Sequence, residues 1–546
     1  MTDPHPQERV VDHSGQSDAV PTGGGNRKWW ALGAVCLGCL AVGVDGTVLS
    51  VALPTLSKAL NASEFDLQWF MSIYFLVMAA SMLPAGLLGD RYGRKRVMLI
   101  SLGLFAVGSA GSAFSTSVAE FMAARVLMGL AGAGIIVMAI TAVTVLFSAR
   151  ERPKAVGFWA AANFISFPIG PILGGWMLTE FWWGWVFLIN VPVALVGLTA
   201  LVALVPETRA ARRPGIDILG IATSAAGLVT LTYGLIEAGQ NGWGAIGALA
   251  LMIVGVAVLI GFLMWERRLS RLPGGQPLLD MTLFTSASFT WGVILAALPV
   301  LAMISVLFTL PQYFQGVVGT NAMGSGLRLL PMIGGLMLGA IPAAQMVRLA
   351  GAKVIVAVGF LLLAIGLAVG ATTGLGSTGL FTAAWMFVAG MGVGMSMATA
   401  TSAALVELSQ ERSGVGGAVL QAVNKIGGPM GTAILGSVLT VGYLAGLHLA
   451  GLPAAAATAA RQSIFGGVAV ADRLGSASLL ASVRTAFIHG MDTALLLGAA
   501  IAVGGVVVTL VFLPQTNSTK VTTVAVTGHG VGPTVPTYEA EPAAAA

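Results

Sequence analysis

Gly86-Leu87-Leu88-Gly89-Asp90-Arg91-Tyr92-Gly93-Arg94-Lys95-Arg96 is the stretch whose reading decides the fold. It closes an apolar run, Trp69–Leu88, with one acid and four bases packed into positions 90–96. About 20 apolar residues that stop at a compact basic cluster are the signature of a helix leaving a bilayer. Gly86 and Gly93 flank the cluster and allow close approach or unusual backbone angles there. Elsewhere charge is scarce. The chain has 27 Lys and Arg and 22 Asp and Glu, 9% of 546 residues, against about 25% in a typical soluble domain. With 56% apolar residues and a mean hydropathy of +0.90, a soluble enzyme, a secreted scaffold and a disordered chain are all disfavoured. Two Cys give no disulfide framework.

Fourteen apolar runs are long enough to span: 30–51, 69–88, 97–114, 121–143, 155–178, 185–205, 218–238, 245–265, 289–310, 327–347, 354–373, 381–405, 419–443 and 487–513. Their apolar residues cover nearly every face, as in a membrane bundle. A barrel, with its period of two, is excluded. Alternate loops carry the bases: Arg91, Arg94, Lys95 and Arg96; then Arg150, Arg152 and Lys154; Arg209, Arg212 and Arg213; Arg267, Arg268 and Arg271; Arg348 and Lys353. Lys58 is the one base in the first six opposite loops. The seventh and last opposite loop, 444–485, holds Arg461, Arg473 and Arg484 but is long enough for charge bias to weaken. Positive-inside then puts both termini in the cytoplasm. The net charge of +5 is thereby topological, and no nucleic-acid partner is implied. Residues 1–28 and 515–546 read as polar cytoplasmic tails, and 1–27 lack the apolar core of a cleaved signal.

A repeat runs through the chain. Pro84 and Gly93 with Lys95 recur as Pro342 and Gly351 with Lys353, and Gly170-Pro171 recurs as Gly428-Pro429, each 258 positions on. Leu53-Pro54 matches Leu310-Pro311 at 257. Several matches at one offset, each at the same place in a span, argue for duplication. The expected architecture is all-α and polytopic: a six-helix half at 29–206, a linker with two inserted helices at 207–285, and a second six-helix half at 286–514. Binding sites in such repeats lie near the interface of the halves.

Asp45 is the sharpest functional candidate. A carboxylate inside a span costs about 2.5–3.5 kcal/mol on insertion scales, so it is retained for proton coupling or as a paired structural charge. Its position in the run places it in the outer half. Arg125, a few residues into span four, lies at a similar depth, where it either pairs with Asp45 or snorkels to the interface. Asp90 can accept hydrogen bonds from Arg94 or from a helix start. Pro171 bends span five and Gly170 and Gly174 give it a small face. Trp159, Asn163, Phe164 and Phe167 in span five, and Gln421, Asn424 and Lys425 in span thirteen, are candidate cavity residues. Glu237, Glu407 and Asp492, the last with His489 on one face, are weaker candidates for a second protonation site, each placed near a solvated helix end. Cys36 and Cys39 spell C-x-x-C inside span one and read as small buried residues.

The opening stretch resembles the loop signature of the major facilitator superfamily. Ile169-Gly170-Pro171-Ile172-Leu173-Gly174-Gly175 resembles the antiporter motif of drug exporters. Asp45 to Pro54 resembles the first helix of the fourteen-helix drug:proton antiporters, the QacA-like branch, and Arg125 to Gly129 and Trp183 to Pro192 look like that family's fourth-helix motif and sixth-helix entry. The resemblance covers roughly residues 28–513. It departs at Gly184, where the family often has Arg, and at Met128, where Gln is usual. Arg348 stands in the second loop copy where the first has Asp90.

The resemblance implies a major facilitator fold and proton-coupled export of amphipathic drugs or antibiotics. It further implies a gating role for Gly86, Asp90, Arg91, Gly93, Arg94 and Lys95, and a sealing role for Gly170, Pro171, Gly174 and Gly175. The seven Lys residues are never followed by Ser or Thr, so no phosphate loop is present and an ion gradient is the remaining drive. Protons are favoured, with sodium left open. No cofactor, metal or enzymatic activity is expected. The expected partners are a small-molecule substrate, protons and the bilayer, for a monomer in a bacterial cytoplasmic membrane. Three other functions stay open at this level: a dedicated exporter of one metabolite or self-made antibiotic, a nutrient:proton symporter, and a non-transporting sensor.

Overall fold

The computed structural model describes residues 27–148, 151–208, 215, 217–272, 275, 277–406 and 410–515, and every regular element among them is helical. The helices are α1 (Arg27–Ala59), α2 (Glu64–Tyr92), α3 (Arg94–Ala113), α4 (Val118–Leu146), α5 (Arg152–Glu180), α6 (Trp185–Leu188), α7 (Asn190–Leu204), α8 (Ile218–Asn241) and α9 (Ile246–Leu269). After a 3-10 turn, Met281–Thr285, come α10 (Ala287–Gln312), α11 (Ala322–Arg328), α12 (Leu330–Ala350), α13 (Ala352–Gly370) and α14 (Gly379–Val406). The chain continues through α15 (Gln410–Gly446), α16 (Ala454–Gln462), α17 (Ile464–Leu474) and α18 (Ala477–Phe512). Among the described residues, fourteen spans are long and apolar enough to cross a membrane; α6 with α7 forms the sixth, and α11 with α12 the tenth.

The caps explain the boundaries. Ser63 accepts from the Asp66 amide while Asp66 accepts from Ser63, a reciprocal box that starts α2. Gly93 has φ +115° and serves as both the C-cap of α2 and the N-cap of α3. Its repeat partner, Gly351, does the same between α12 and α13 at φ +81°. Only glycine takes such a backbone without strain, so the 258-residue offset marks one turn built twice.

Packing repeats as well. In the first group α1 packs on α4, α5 and α7, α2 on α4, and α3 on α4 and α7. In the second, α10 packs on α14, α15 and α18, α12 on α14, and α13 on α14 and α18. The groups meet where α2 lies against α15, α5 against α11, and α1 against α10. The inserted pair, α8 and α9, packs on itself and sets α8 against α2 and α15. Phe65 and Trp69 there meet the ring of Tyr233.

Several helices outrun their apolar stretches. The last begins at Ala477, capped by Ser476, ten residues before the apolar run suggests. Arg484 and Thr485 end an apolar run without ending a helix. Asp492 therefore lies 15 residues into α18 and not near a solvated end, which corrects the placement read from sequence. The segment 444–485 is likewise largely helical. Asp45 lies 18 residues after Arg27 and 14 before Ala59, just past the middle of α1 toward its Ala59 end.

Candidate functional site

Asp45 and Arg125 meet. Arg125 Nη1 donates to Asp45 Oδ2 at 2.6 Å, and both side chains are fully buried. Asn190, at the start of α7, donates to Asp45 Oδ1 at 3.4 Å and to Ser109 Oγ at 3.3 Å. The Arg125 guanidinium stacks over the Tyr74 ring, 4.3 Å from its centroid, and Tyr74 donates its hydroxyl to the Val42 carbonyl. Met128 receives the Ser112 hydroxyl on its sulfur at 3.4 Å. Arg125 Nε and Nη2 are buried without a hydrogen-bond partner, so a five-donor group rests on one carboxylate oxygen and, weakly at 3.9 Å, on the Met128 sulfur. Asn190 and Tyr74 were missed as candidates. Asn190 lies inside the quoted sixth-helix motif, whereas Tyr74 carries no signal in an apolar run.

A cavity of about 390 Å³ lies between the two helix groups, within the usual range for a small-molecule pocket. Trp159, Asn163, Ser166 and Phe167 of α5 face Gln421, Asn424 and Lys425 of α15 across it, with Phe75 of α2, Met303 and Ile304 of α10 and Thr401 of α14 completing the wall. Trp159, Asn163, Gln421 and Asn424 are thus brought together as expected, with Phe167 and Lys425; the side chain of Phe164 lies outside the described residues. From α1, Val42, Gly43 and Thr47 line the cavity. Asp45 is two residues from both Gly43 and Thr47, about 200° around the helix, and its side chain points away from the cavity into the first group.

The cavity is closed on one side. The α2–α3 turn marks the basic face. At the opposite face, Gln312 Nε2 donates to Glu64 Oε1 at 3.1 Å, Gln68 Nε2 to Thr440 Oγ1 at 3.1 Å and Gln315 Nε2 to the Val51 carbonyl at 3.1 Å, each bond joining the two groups. Gln315 sits in a π-helical turn, Tyr313–Val317, just after Pro311. Gly175 supplies the rest of the seal: a Cβ there would stand 2.8 Å from the Ala322 carbonyl oxygen and 2.9 Å from Met323 Cα. Gly170 and Gly174 serve a different contact, since a Cβ on either would collide with Thr47 or Val48 of α1. The antiporter-like stretch therefore packs α5 on α1 with two glycines and on α11 with a third. Glu64, a buried carboxylate with no cation beside it among the described residues, was also missed in the sequence, because it stands at a helix start where acids are ordinary.

On the basic face Arg94 donates to Asp90 through Nε at 3.1 Å and Nη2 at 2.9 Å. Glu207 accepts from the backbone amides of Lys95 and Arg96, Lys95 Nζ donates to the Val202 carbonyl, and the Arg94 amide donates to the Thr208 carbonyl. The turn is thus bonded to the first helix group. Arg348, the counterpart of Asp90, is exposed. Lys28 donates to both oxygens of Glu151 at 2.6 and 2.8 Å; that bond and one from Ser148 hold the Glu151 carboxyl below its ordinary range.

The remaining candidates lie apart from the ion pair. Glu237 accepts from Asn241 within α8. Asp492 is half-buried, with Oδ1 lacking a partner, and His489 is exposed. Glu407, Arg150, Arg209, Arg212 and Arg213 and the two tails fall outside the described residues. Cys36 and Cys39 are buried free thiols.

Two repeated helix groups around a central cavity, sealed toward one face, define a membrane carrier of small molecules. The family model of the Major Facilitator Superfamily matches residues 35–432. The chain is 33% identical over 431 residues to the tetracenomycin C resistance and export protein of Streptomyces glaucescens, covering 78% of each. It is 33% identical over 502 residues to the multidrug efflux pump LfrA of Mycolicibacterium smegmatis, covering 88% of this chain and 96% of the relative. Among solved structures, a bacterial homolog of the human lysosomal transporter Spinster in an inward-facing, unoccupied conformation superposes with a TM-score of 0.63 at 14% identity, over 90% of this chain and 98% of that one. The chain belongs to the Major Facilitator Superfamily, and its relatives are drug and antibiotic efflux proteins, as the motifs implied.

Proposed function

We propose that this protein is a proton-coupled antiporter that exports amphipathic small molecules, drugs and antibiotics among them, across a bacterial cytoplasmic membrane by alternating access. One observation carries the reading: a sealed Asp45–Arg125 pair lies directly behind the wall of a cavity that is closed at one face. The basic face is cytoplasmic on positive-inside grounds, with both termini on that side, and the cavity takes substrate from there. Residues 29–206 and 286–514 act as the two rocking halves of a monomer and 207–285 as the linker with its inserted pair. The protein is a carrier and not a catalyst.

The cycle follows from the pair. Deprotonated Asp45 holds Arg125, α4 and α7 around α1. Protonation removes one charge and leaves a buried guanidinium whose other donors are already unpartnered. That state favours a different packing of α1, and a proton shifts the equilibrium by its differential affinity for the two packings. Since α1 contributes Gly43 and Thr47 to the cavity, a turn or tilt of α1 reshapes the substrate wall. Opening toward the far face breaks the bonds of Glu64, Gln68 and Gln315 and parts Gly175 from α11. Asp90, Gly93 and Arg94 then close the basic face. The test is flux into inverted vesicles against a panel of unrelated toxic compounds under an imposed pH gradient. Uptake that collapses when the gradient is dissipated supports antiport; gradient-independent uptake, or flux in the reverse direction, overturns it.

A further inference from the structure

Lys425 is the one ionisable side chain among the described residues that line the cavity. Its Nζ stands over the Phe75 ring, 5.5 Å from the centroid. It makes no ion pair with any described carboxylate. Asp45, the acid of the proposed mechanism, is on the other face of α1 and already committed to Arg125. One residue away, Asn424 Oδ1 is buried without a hydrogen-bond partner. A cation removed from water is costly unless a counter-charge pairs with it, and among the described residues lining the cavity there is no acid; the Phe75 ring gives only a cation–π contact. Trp159 and Phe167 of α5, across the cavity, and Phe75 of α2 supply flat apolar surface.

We propose that the cavity is built for acidic aromatic molecules, in which an ionised carboxylate or phenolate binds Lys425 Nζ while the ring system lies against Trp159, Phe75 and Phe167. A hydroxyl on the substrate donates to Asn424 Oδ1. This deepens the exporter reading, on which it rests, by naming the substrate class. It also separates cargo from coupling: the proton site and the anion site lie on opposite faces of α1, so proton and substrate compete through helix packing and not for one ligand. A lipophilic cation, by contrast, meets a like charge in the cavity with no described acid to offset it.

The test uses purified full-length protein and three anthracene probes that share one ring system: anthracene-2-carboxylate, its primary amide, and 2-(aminomethyl)anthracene. Binding is read by energy transfer from tryptophan, without a gradient. The carboxylate is expected to bind tightest. Lys425→Gln weakens the carboxylate by about tenfold to a hundredfold, the worth of a charge-assisted bond, and leaves the amide within about twofold. Lys425→Arg keeps the charge and retains the preference for carboxylate over amide, whereas a merely structural role for the lysine would shift both probes alike. The proposal is overturned if the aminomethyl probe equals or exceeds the carboxylate on native protein. It is also overturned if Lys425→Gln weakens amide and carboxylate alike, or if no probe binds. Should Lys425→Gln fail to fold, the ranking on native protein decides alone. Binding that follows charge while gradient-driven flux is absent would leave this assignment standing and remove the antiport reading.

Discussion

Asp45→Asn is the perturbation whose consequences the structure fixes most closely. Asparagine nearly preserves shape, so the change is electrical. Arg125 keeps a neutral partner at the 2.6 Å contact and loses its counter-charge. Its Nε and Nη2 have no alternative acceptor, and the Tyr74 face at 4.3 Å offers only about 0.5–2 kcal/mol of cation–π attraction. Breaking a buried pair by removing one partner costs about 3–5 kcal/mol, roughly two to four orders of magnitude in the folding equilibrium. Arg125→Gln alone should cost a similar amount, since it strands the carboxylate. Asp45→Asn combined with Arg125→Gln strands no charge and should recover most of the loss, so the two substitutions are strongly non-additive. Denaturant titration in mixed micelles reads the four corners of that cycle. Inverted vesicles read the function: gradient-driven transport is lost in every variant, whereas gradient-free exchange of substrate survives in the double variant. A near-additive cycle would show that the pair is not coupled as its geometry demands. Full gradient-driven transport by the Asp45→Asn protein would refute its part in coupling altogether.

Three further outcomes follow from other contacts. Glu64→Ala leaves Gln312, whose Oε1 already lacks a partner, without its cross-group acceptor; it should cost about 1–3 kcal/mol and loosen the face opposite the basic one, seen as faster amide exchange in residues 308–317, while Glu64→Gln is nearly neutral. Gly175→Leu drives a side chain into the Ala322 carbonyl and should prevent that face from closing; spin labels at Ala59 and Val318 would then separate, and an unchanged distance would count against the seal. Lys28→Ala removes the bond that lowers the Glu151 carboxyl. A depressed carboxyl stabilises above its unfolded range and loses that contribution as pH falls through the folded value, so the variant and native protein should differ in thermal stability at neutral pH and converge in acid or high salt.

Much of the fold was legible because the bilayer leaves few choices. Apolar length gave fourteen spans, and the 258-residue offset identified Gly93 and Gly351 as twin turns. Boundaries were less legible, since a polar residue such as Arg484 ends hydrophobicity without ending hydrogen bonding; that is why Asp492 moved from a helix end to its interior. Within the site, Asp45 and Arg125 stood out because charge in a span demands a reason. Glu64 and Glu207 did not, because acids near helix starts and in loops are common. Lys425 was visible as a polar residue near a helix start, but its isolation was not.

The sequence by itself determined the class of protein, the number of spans, their duplication and the two charges inside spans that demand a reason. Those are consequences of local composition and of the cost of charge in lipid. Only the tertiary structure decided that Asp45 faces Arg125 and turns its back on the cavity. It alone decided that Gly175 packs one helix group against the other while Gly170 and Gly174 pack within one, and that Lys425 enters the cavity with no acid beside it among the described residues. Facing and pairing depend on which helices become neighbours, across 80 residues of chain for Asp45 and Arg125 and 372 for Gln68 and Thr440, and no local pattern carries that information.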